Sequence, residues 1–232
     1  MPDAVLFDLD DTIIAYDAVA EESWQSVCAR YAPNCHRSSE VLYVAIKEAR
    51  DWYLKDAERH RWSRLNLDLY RREAVSRALA ALGLDEPNLA NEIADSYGEM
   101  RDAAIYIHPG AKELLLSLKD EGKGLALVTN GASEGQREKI RRHGLEGIFD
   151  VVVIEGELGA GKPDKRVFLS ALEGLGKTAE QVWMVGDDLA RDIAGAQRIG
   201  IFSIWVDWRN AGLPAFSAVK PDRIVRFISE LG

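Results

Sequence analysis

Cysteine is scarce in these 232 residues, which hold only Cys28 and Cys35. Two thiols cannot build a disulfide framework, and no second pair completes a zinc site, so the pattern points to a reducing compartment. Positive charge is also in short supply, with 29 Lys and Arg against 38 Asp and Glu and a net charge of -9 at pH 7. Proteins that bind a phosphate backbone rely on clustered Lys and Arg to release counterions, so nucleic acid is not an expected partner. Long apolar runs are missing too, because charged residues interrupt every stretch before it reaches the length of a membrane span. No basic, apolar leader stands before the first strand-like run, and the expectation is a cytoplasmic chain with no membrane contact. The histidines His36, His60, His108 and His143 share no metal-type spacing. They read as surface or loop residues, with His108 part of a turn before Pro109 and Gly110.

What is present is apolar patterning of two kinds. Short β-rich runs recur at 4–7 (AVLF), 124–130 (GLALVTN), 150–156 (DVVVIEG), 182–188 (VWMVGDD) and 201–207 (IFSIWVD). Helical patterns alternate with them at 110–121, 133–143, 164–175 and 190–199. Strand and helix in alternation, with continuously apolar strands, predict an α/β fold whose parallel sheet is covered on both faces. From residue 17 to about 103 the pattern is helical throughout, which predicts an all-helical insertion after the first strand. Within it, Trp52, Tyr53, Trp62, Leu65 and Tyr70 lie among Arg61, Arg64, Arg71 and Arg72. That mixture reads as helix packing with arginine stems laid along it, or as contacts for the non-reacting part of a substrate anion.

The first strand runs into VLFDLDDT, where Asp8, Asp10 and Asp11 follow residues suited to burial. Burying an unpaired carboxylate costs several kcal/mol, so the cluster either turns into water or holds a cation. In an open parallel sheet, ligands bind at the carboxyl ends of the strands. The polar residues there are Asp8 and Asp10, Thr129 and Asn130, Glu155, Asp187 and Asp188, and Asp207.

Asp8 and Asp10 are two residues apart and face one way on an extended segment. Such a pair can share Mg²⁺, which takes one or two carboxylates, waters and a substrate phosphate, with Asp187 as a further oxygen ligand. A carboxylate can also accept a phosphoryl group. Phosphoryl transfer then needs charge neutralisation and positioned donors. Thr129, Asn130 and Gly131 end a buried strand before a helix, where backbone N–H groups are expected to be available to an anion. Lys162 lies in Gly161-Lys162-Pro163-Asp164, with Pro163 expected at the first position of the next helix.

In this order, DLDDT, VTNG, GKPD and GDDLARD resemble the motifs of the haloacid dehalogenase superfamily of phosphohydrolases. The resemblance implies a Rossmann-like core over residues 1–15 and 104–232, with 16–103 as a C1-type helical cap that closes over a small substrate. It makes Asp8 the nucleophile and a Mg²⁺ ligand. Asp10 becomes the acid/base, with its backbone carbonyl on the metal. Thr129 and Lys162 hold the phosphoryl group, aided by Asn130 and Gly131. Asp187 becomes the third metal ligand, Asp192 lies in the outer shell, and Asp188 occupies a variable position of the motif. The implied activity is Mg²⁺-dependent hydrolysis of a small phosphate monoester, such as a sugar phosphate or nucleoside monophosphate, through an aspartyl-phosphate.

Other readings share parts of this pattern. Halide-releasing members resemble DxYGT and lack an acid two residues after the nucleophile, because halide leaves without a proton; Asp10 therefore favours an oxygen leaving group. A phosphate mutase remains compatible with the motifs. A receiver-like phospho-aspartate signalling domain places its acidic pair on the first strand and its phosphorylated aspartate on a later one, the reverse of this chain. Monomer and homodimer are both compatible with the sequence.

Overall fold

The apolar run that ends in acids becomes an inner strand of a sheet. In the computed structural model, which describes residues 2–232, the first strand is β1 (Ala4–Phe7), followed by β2 (Ile14–Ala15). Five helices come next, α1 (Ala20–Tyr31), α2 (Ser39–Leu54), α3 (Ala57–Leu65), α4 (Leu67–Ala81) and α5 (Pro87–Ala104). Then follow β3 (Tyr106–Ile107), α6 (Ala111–Asp120), β4 (Gly124–Thr129), α7 (Ser133–Arg142), β5 (Val151–Ile154), α8 (Glu155–Leu158) and α9 (Lys165–Leu175). The chain ends through β6 (Val182–Gly186), α10 (Ala194–Gln197), β7 (Phe202–Val206) and β8 (Arg223–Val225).

Six strands form one sheet in the order β5-β4-β1-β6-β7-β8, with every pairing parallel. All four residues of β1 are buried, as expected of a strand covered on both faces. Ala4 and Leu6 point into a core with Ala126, Val128, Val167, Phe168, Val182 and Met184. In α9 the buried residues Val167, Phe168, Ala171 and Leu172 recur at helical spacing, giving one apolar stripe against β4 and β5. Phe168 is fully buried, and a side chain of that size contributes about 1.5–3 kcal/mol on leaving water. After β1 the chain adds β4 and β5 on one side of it, then returns to add β6 on the other. Asp8 therefore stands at the reversal of strand order, where open α/β sheets bind their ligands.

The backbone forms two compact units. One comprises residues up to Tyr16 together with Tyr106–Gly232, the other Asp17–Ile105. The second is built from α1 to α5 around Trp24, Leu42, Ile46, Val75, Leu79 and Ile93, all fully buried. Trp24 stacks on Tyr97 with ring centroids 3.6 Å apart. Ser38 caps α2 by accepting from the Val41 N–H, and Asp56 caps α3 by accepting from Arg59 N–H.

Local chemistry redraws two sequence expectations. Asp164 caps α9 by accepting from the Arg166 N–H, so the helix starts at Lys165. Pro163, joined to Lys162 by a cis peptide bond, lies before the helix and not at its first position. The helix expected over 190–199 is a π-helical turn, Leu189–Ile193, running into the short α10. Both Asp192 N–H and Ile193 N–H donate to the Asp188 carbonyl, at 2.9 and 3.3 Å, which widens the turn. The small pair β2–β3 and the edge strand β8 carry too few residues to show a period in the sequence.

Candidate active site

Asp8 leaves β1 still bonded to the sheet, its N–H donating to Val185 carbonyl at 2.9 Å. Its side chain is buried and faces Lys162, whose Nζ donates to Asp8 Oδ1 at 2.5 Å. The same ammonium lies 2.7 Å from Asp192 Oδ1. Thr12 Oγ1 reaches Asp8 Oδ2 at 3.5 Å, the long limit of a hydrogen bond. One lysine thus sits between two buried carboxylates, an arrangement tolerable only because each charge is paired.

Asp187, Asp8 and Asp192 each offer an oxygen within 4.8 Å of the others. Three hard oxygen donors around one point suit Mg²⁺. The electrostatics agree, because burial pushes the Asp8 carboxyl up to about 7 against the pull of Lys162, with Asp192 and Asp10 adding to the rise. Burial and then the Asp8 and Asp192 charges likewise raise Asp187 well above the carboxylate range. Burial alone pulls Lys162 down, but Asp192 and Asp8 outweigh it and hold the ammonium above the usual lysine value. A cation held there would relieve the crowding of negative charge that remains.

Asp192 comes close to the β6 end because Gly186 has no side chain. A Cβ there would fall 2.4 Å from the Asp192 carboxyl group. The Asp188 N–H donates to Asp192 Oδ2 at 2.9 Å, fixing that carboxylate from the other side. The Asp188 side chain faces its own turn, accepting from Ala190 N–H at 2.9 Å and Arg191 N–H at 2.8 Å and from Arg191 Nε at 2.7 Å. Burial raises its pKa, yet Arg191 and these hydrogen bonds outweigh burial and hold it below the usual carboxylate range.

Thr129 ends β4 almost fully buried. Its Oγ1 accepts from Gln136 Nε2 at 2.5 Å. Asn130 clasps the Lys162 backbone: Asn130 Nδ2 donates to Lys162 carbonyl at 3.0 Å, and Lys162 N–H donates to Asn130 Oδ1 at 2.7 Å. The Gly131 N–H donates to Glu155 Oε2 at 3.1 Å, so this backbone donor is occupied inside the protein. Glu155 is buried, and a Cβ at Gly161 would meet its carboxyl at 2.5 Å, so the loops carrying Thr129 and Lys162 close on one acid.

The Asp10 carboxylate is engaged elsewhere. Lys139 Nζ donates to its two oxygens at 2.7 and 2.8 Å, and Gln136 Nε2 donates to Oδ2 at 3.1 Å. Asp11 has φ 61 and accepts from Tyr16 N–H at 3.0 Å, turning the chain toward β2. The site thus unites Asp8, Lys162, Asp187 and Asp192 directly, with Thr129 and Asp10 joined through Gln136. Gln136 and Lys139 have no role in the sequence reading, and Glu155 enters it only as a strand-end acid; the helical spacing of Gln136 and Lys139 after VTNG is the one signal that sets them on a common face.

Residues 2–200 match the family model of haloacid dehalogenase-like hydrolases. The chain belongs to that family. It is 30% identical to glyceraldehyde 3-phosphate phosphatase of Methanopyrus kandleri, over 98% of this chain and 97% of that protein. It is 39% identical to phosphoserine phosphatase of Thermus thermophilus over 59% of this chain, a match spanning about half (52%) of that relative. The fold also matches the magnesium-bound HAD-hydrolase YfnB of Bacillus subtilis with a TM-score of 0.75 at 23% identity, covering 98% of this chain and 96% of that one. Among the described residues, no helix is long and apolar enough to cross a membrane.

Proposed function

We propose that this protein is a Mg²⁺-dependent phosphatase acting on a small phosphorylated metabolite in the cytoplasm. The observation that carries the reading is the buried Asp8 carboxylate held at 2.5 Å by Lys162 Nζ, beside Asp187 and Asp192. Asp8, Asp187 and Asp192 are the side chains that would hold the metal, with the Asp10 carbonyl as the resemblance implies. Once bound, Mg²⁺ supplies positive charge that lets an anionic phosphate approach an anionic nucleophile.

In this mechanism Asp8 Oδ attacks phosphorus as the ester P–O bond breaks. The Asp10 carboxyl gives its proton to the departing oxygen, so the leaving group departs as an alcohol. Lys162 and Thr129 hold the phosphoryl oxygens while the charge redistributes. Asp10, now a carboxylate, takes a proton from water that attacks the aspartyl-phosphate, and phosphate and free Asp8 are restored. The helical unit Asp17–Ile105 serves as the cap that selects the substrate.

The phosphatase names of the relatives support this class, and one relative matched along nearly its whole length is named for glyceraldehyde 3-phosphate. A halide-releasing reaction is disfavoured because Asp10 supplies a proton that halide does not need. The test is a screen of phosphorylated metabolites with Mg²⁺, using Asp8→Asn as control. Phosphate release that disappears in the variant, with a phosphoryl adduct trapped on Asp8, is the expected result. Turnover surviving Asp8→Asn, or halide release from a 2-haloacid with no phosphatase activity, overturns the reading.

A further inference from the structure

Gln136 and Lys139 are one helical turn apart on α7, so their side chains share a face. Gln136 is buried, and its Nε2 faces three acceptors, Thr129 Oγ1 at 2.5 Å, the Asn130 carbonyl at 2.8 Å and Asp10 Oδ2 at 3.1 Å. The carbonyl and the carboxylate accept only, which fixes the nitrogen of the amide toward them. Lys139 Nζ grips both Asp10 oxygens, at 2.7 and 2.8 Å, and lies 3.6 Å from the centroid of the Tyr16 ring. The Lys139 side chain is 13% exposed and that of Asp10 23%, so solvent and salt screen this pair less than a surface pair. A carboxylate bound by three donor contacts from one helix face has lost most of its rotational freedom.

We propose that Gln136 and Lys139 are positioning residues: they aim the Asp10 carboxyl for proton transfer, and Gln136 fixes it relative to the Thr129 hydroxyl. The proposal rests on the phosphatase reading above. Neither side chain forms or breaks a bond to substrate. Their effect passes through Asp10, whose proton matters most when the departing oxygen is strongly basic.

The experiment compares an alkyl phosphate that the enzyme accepts with p-nitrophenyl phosphate, whose leaving group departs without a proton. The readout is kcat/KM, which reports the first irreversible step and is blind to later hydrolysis of the aspartyl-phosphate. For Lys139→Met and Gln136→Met, kcat/KM on the alkyl ester is expected to fall about 10- to 100-fold, a part of what general acid catalysis supplies. On the aryl ester the fall for Lys139→Met is expected to stay below about threefold, which also shows that this variant folds; Gln136→Met, which also frees Thr129, is expected to lose more on the alkyl than on the aryl ester. Lys139→Arg, which keeps charge and donors, is expected to recover much of the alkyl activity. Equal losses on both esters, no loss, or a gain on the alkyl ester overturns the positioning role alone. A wild-type enzyme that hydrolyses no phosphate monoester in the metabolite screen overturns the phosphatase reading and this inference with it.

Discussion

Asn130 and Lys162 form a closed ring of two hydrogen bonds, at 3.0 and 2.7 Å, in which a side-chain amide pairs with a backbone as a strand would. The loop that delivers the Lys162 ammonium to Asp8 is therefore set by Asn130. Asn130→Ala removes both bonds and leaves a partly buried N–H and C=O of Lys162 without these partners. The expected cost is about 2 kcal/mol of stability. Because a misplacement of about 1 Å at the reacting centre can cost about 100-fold, kcat is expected to fall more than tenfold. Denaturant unfolding and steady-state kinetics of the same preparation measure both. A variant with wild-type kcat would show that Lys162 holds its place unaided.

Gly186 tests the close approach of Asp192 to the end of β6. A methyl group would fall 2.4 Å from the Asp192 carboxyl, so Gly186→Ala has to displace that side chain. Mg²⁺ affinity is expected to drop about 10- to 100-fold, the range found when the partners that orient a metal ligand are removed. Titration calorimetry with Mg²⁺ alone reads this without reference to turnover. An unchanged affinity would exclude Asp192 from the metal site.

Metal should stabilise the fold, and more at alkaline pH. Burial raises the Asp8 carboxyl from its ordinary value of 3.8 to about 7 in the folded protein. Between these values the native state keeps a proton that the unfolded chain has lost. The contribution is full below the unfolded value and is lost as pH rises through the folded one. Mg²⁺ binds the ionised carboxylates, so its stabilisation, RT ln(1 + [L]/Kd), is larger where protons no longer compete. Melting temperatures with Mg²⁺ and with chelator should separate more at about pH 8 than at about pH 5. A separation that shrinks with rising pH would contradict the assignment.

His108 carries the opposite sign. It is buried between the rings of Tyr106 and Phe227, and burial lowers its pKa. The unfolded chain therefore takes up a proton at a higher pH than the folded protein does. Stability from this residue is present above the ordinary histidine value and is lost as pH falls below about 6.5. His108→Phe keeps a ring and removes the titration. On acidification from about pH 8 to about pH 5 its melting temperature should fall less than that of the wild type. Parallel curves would show that His108 takes no part in acid sensitivity.

The positions of Asp8, Thr129 and Asp187 were legible because each ends or follows an apolar strand, and that of Lys162 because it stands in a Gly-Lys-Pro-Asp loop before a helix; a parallel sheet gathers such ends at one edge. Gln136 and Lys139 were not, since they meet Asp10 across 126 and 129 residues of chain. A contact of that separation leaves no trace in spacing. Asp192 shows the intermediate case. Its place at the end of GDDLARD was visible, but its entry beside Asp8 and Asp187 depends on the widened turn and on Gly186. Asp10 looked like the natural partner of Asp8 because two residues of strand aim both one way. The strand ends at Phe7, and past it the Asp10 carboxylate pairs with Lys139.

By itself the sequence determined the parallel sheet, the helical insertion and the identities of the strand-end acids and the loop lysine, because periodicity and turn chemistry are local properties of the chain. Only the tertiary structure decided which carboxylates share one point and which are held apart, because burial and pairing set the energy of each charge, and both depend on residues distant in sequence.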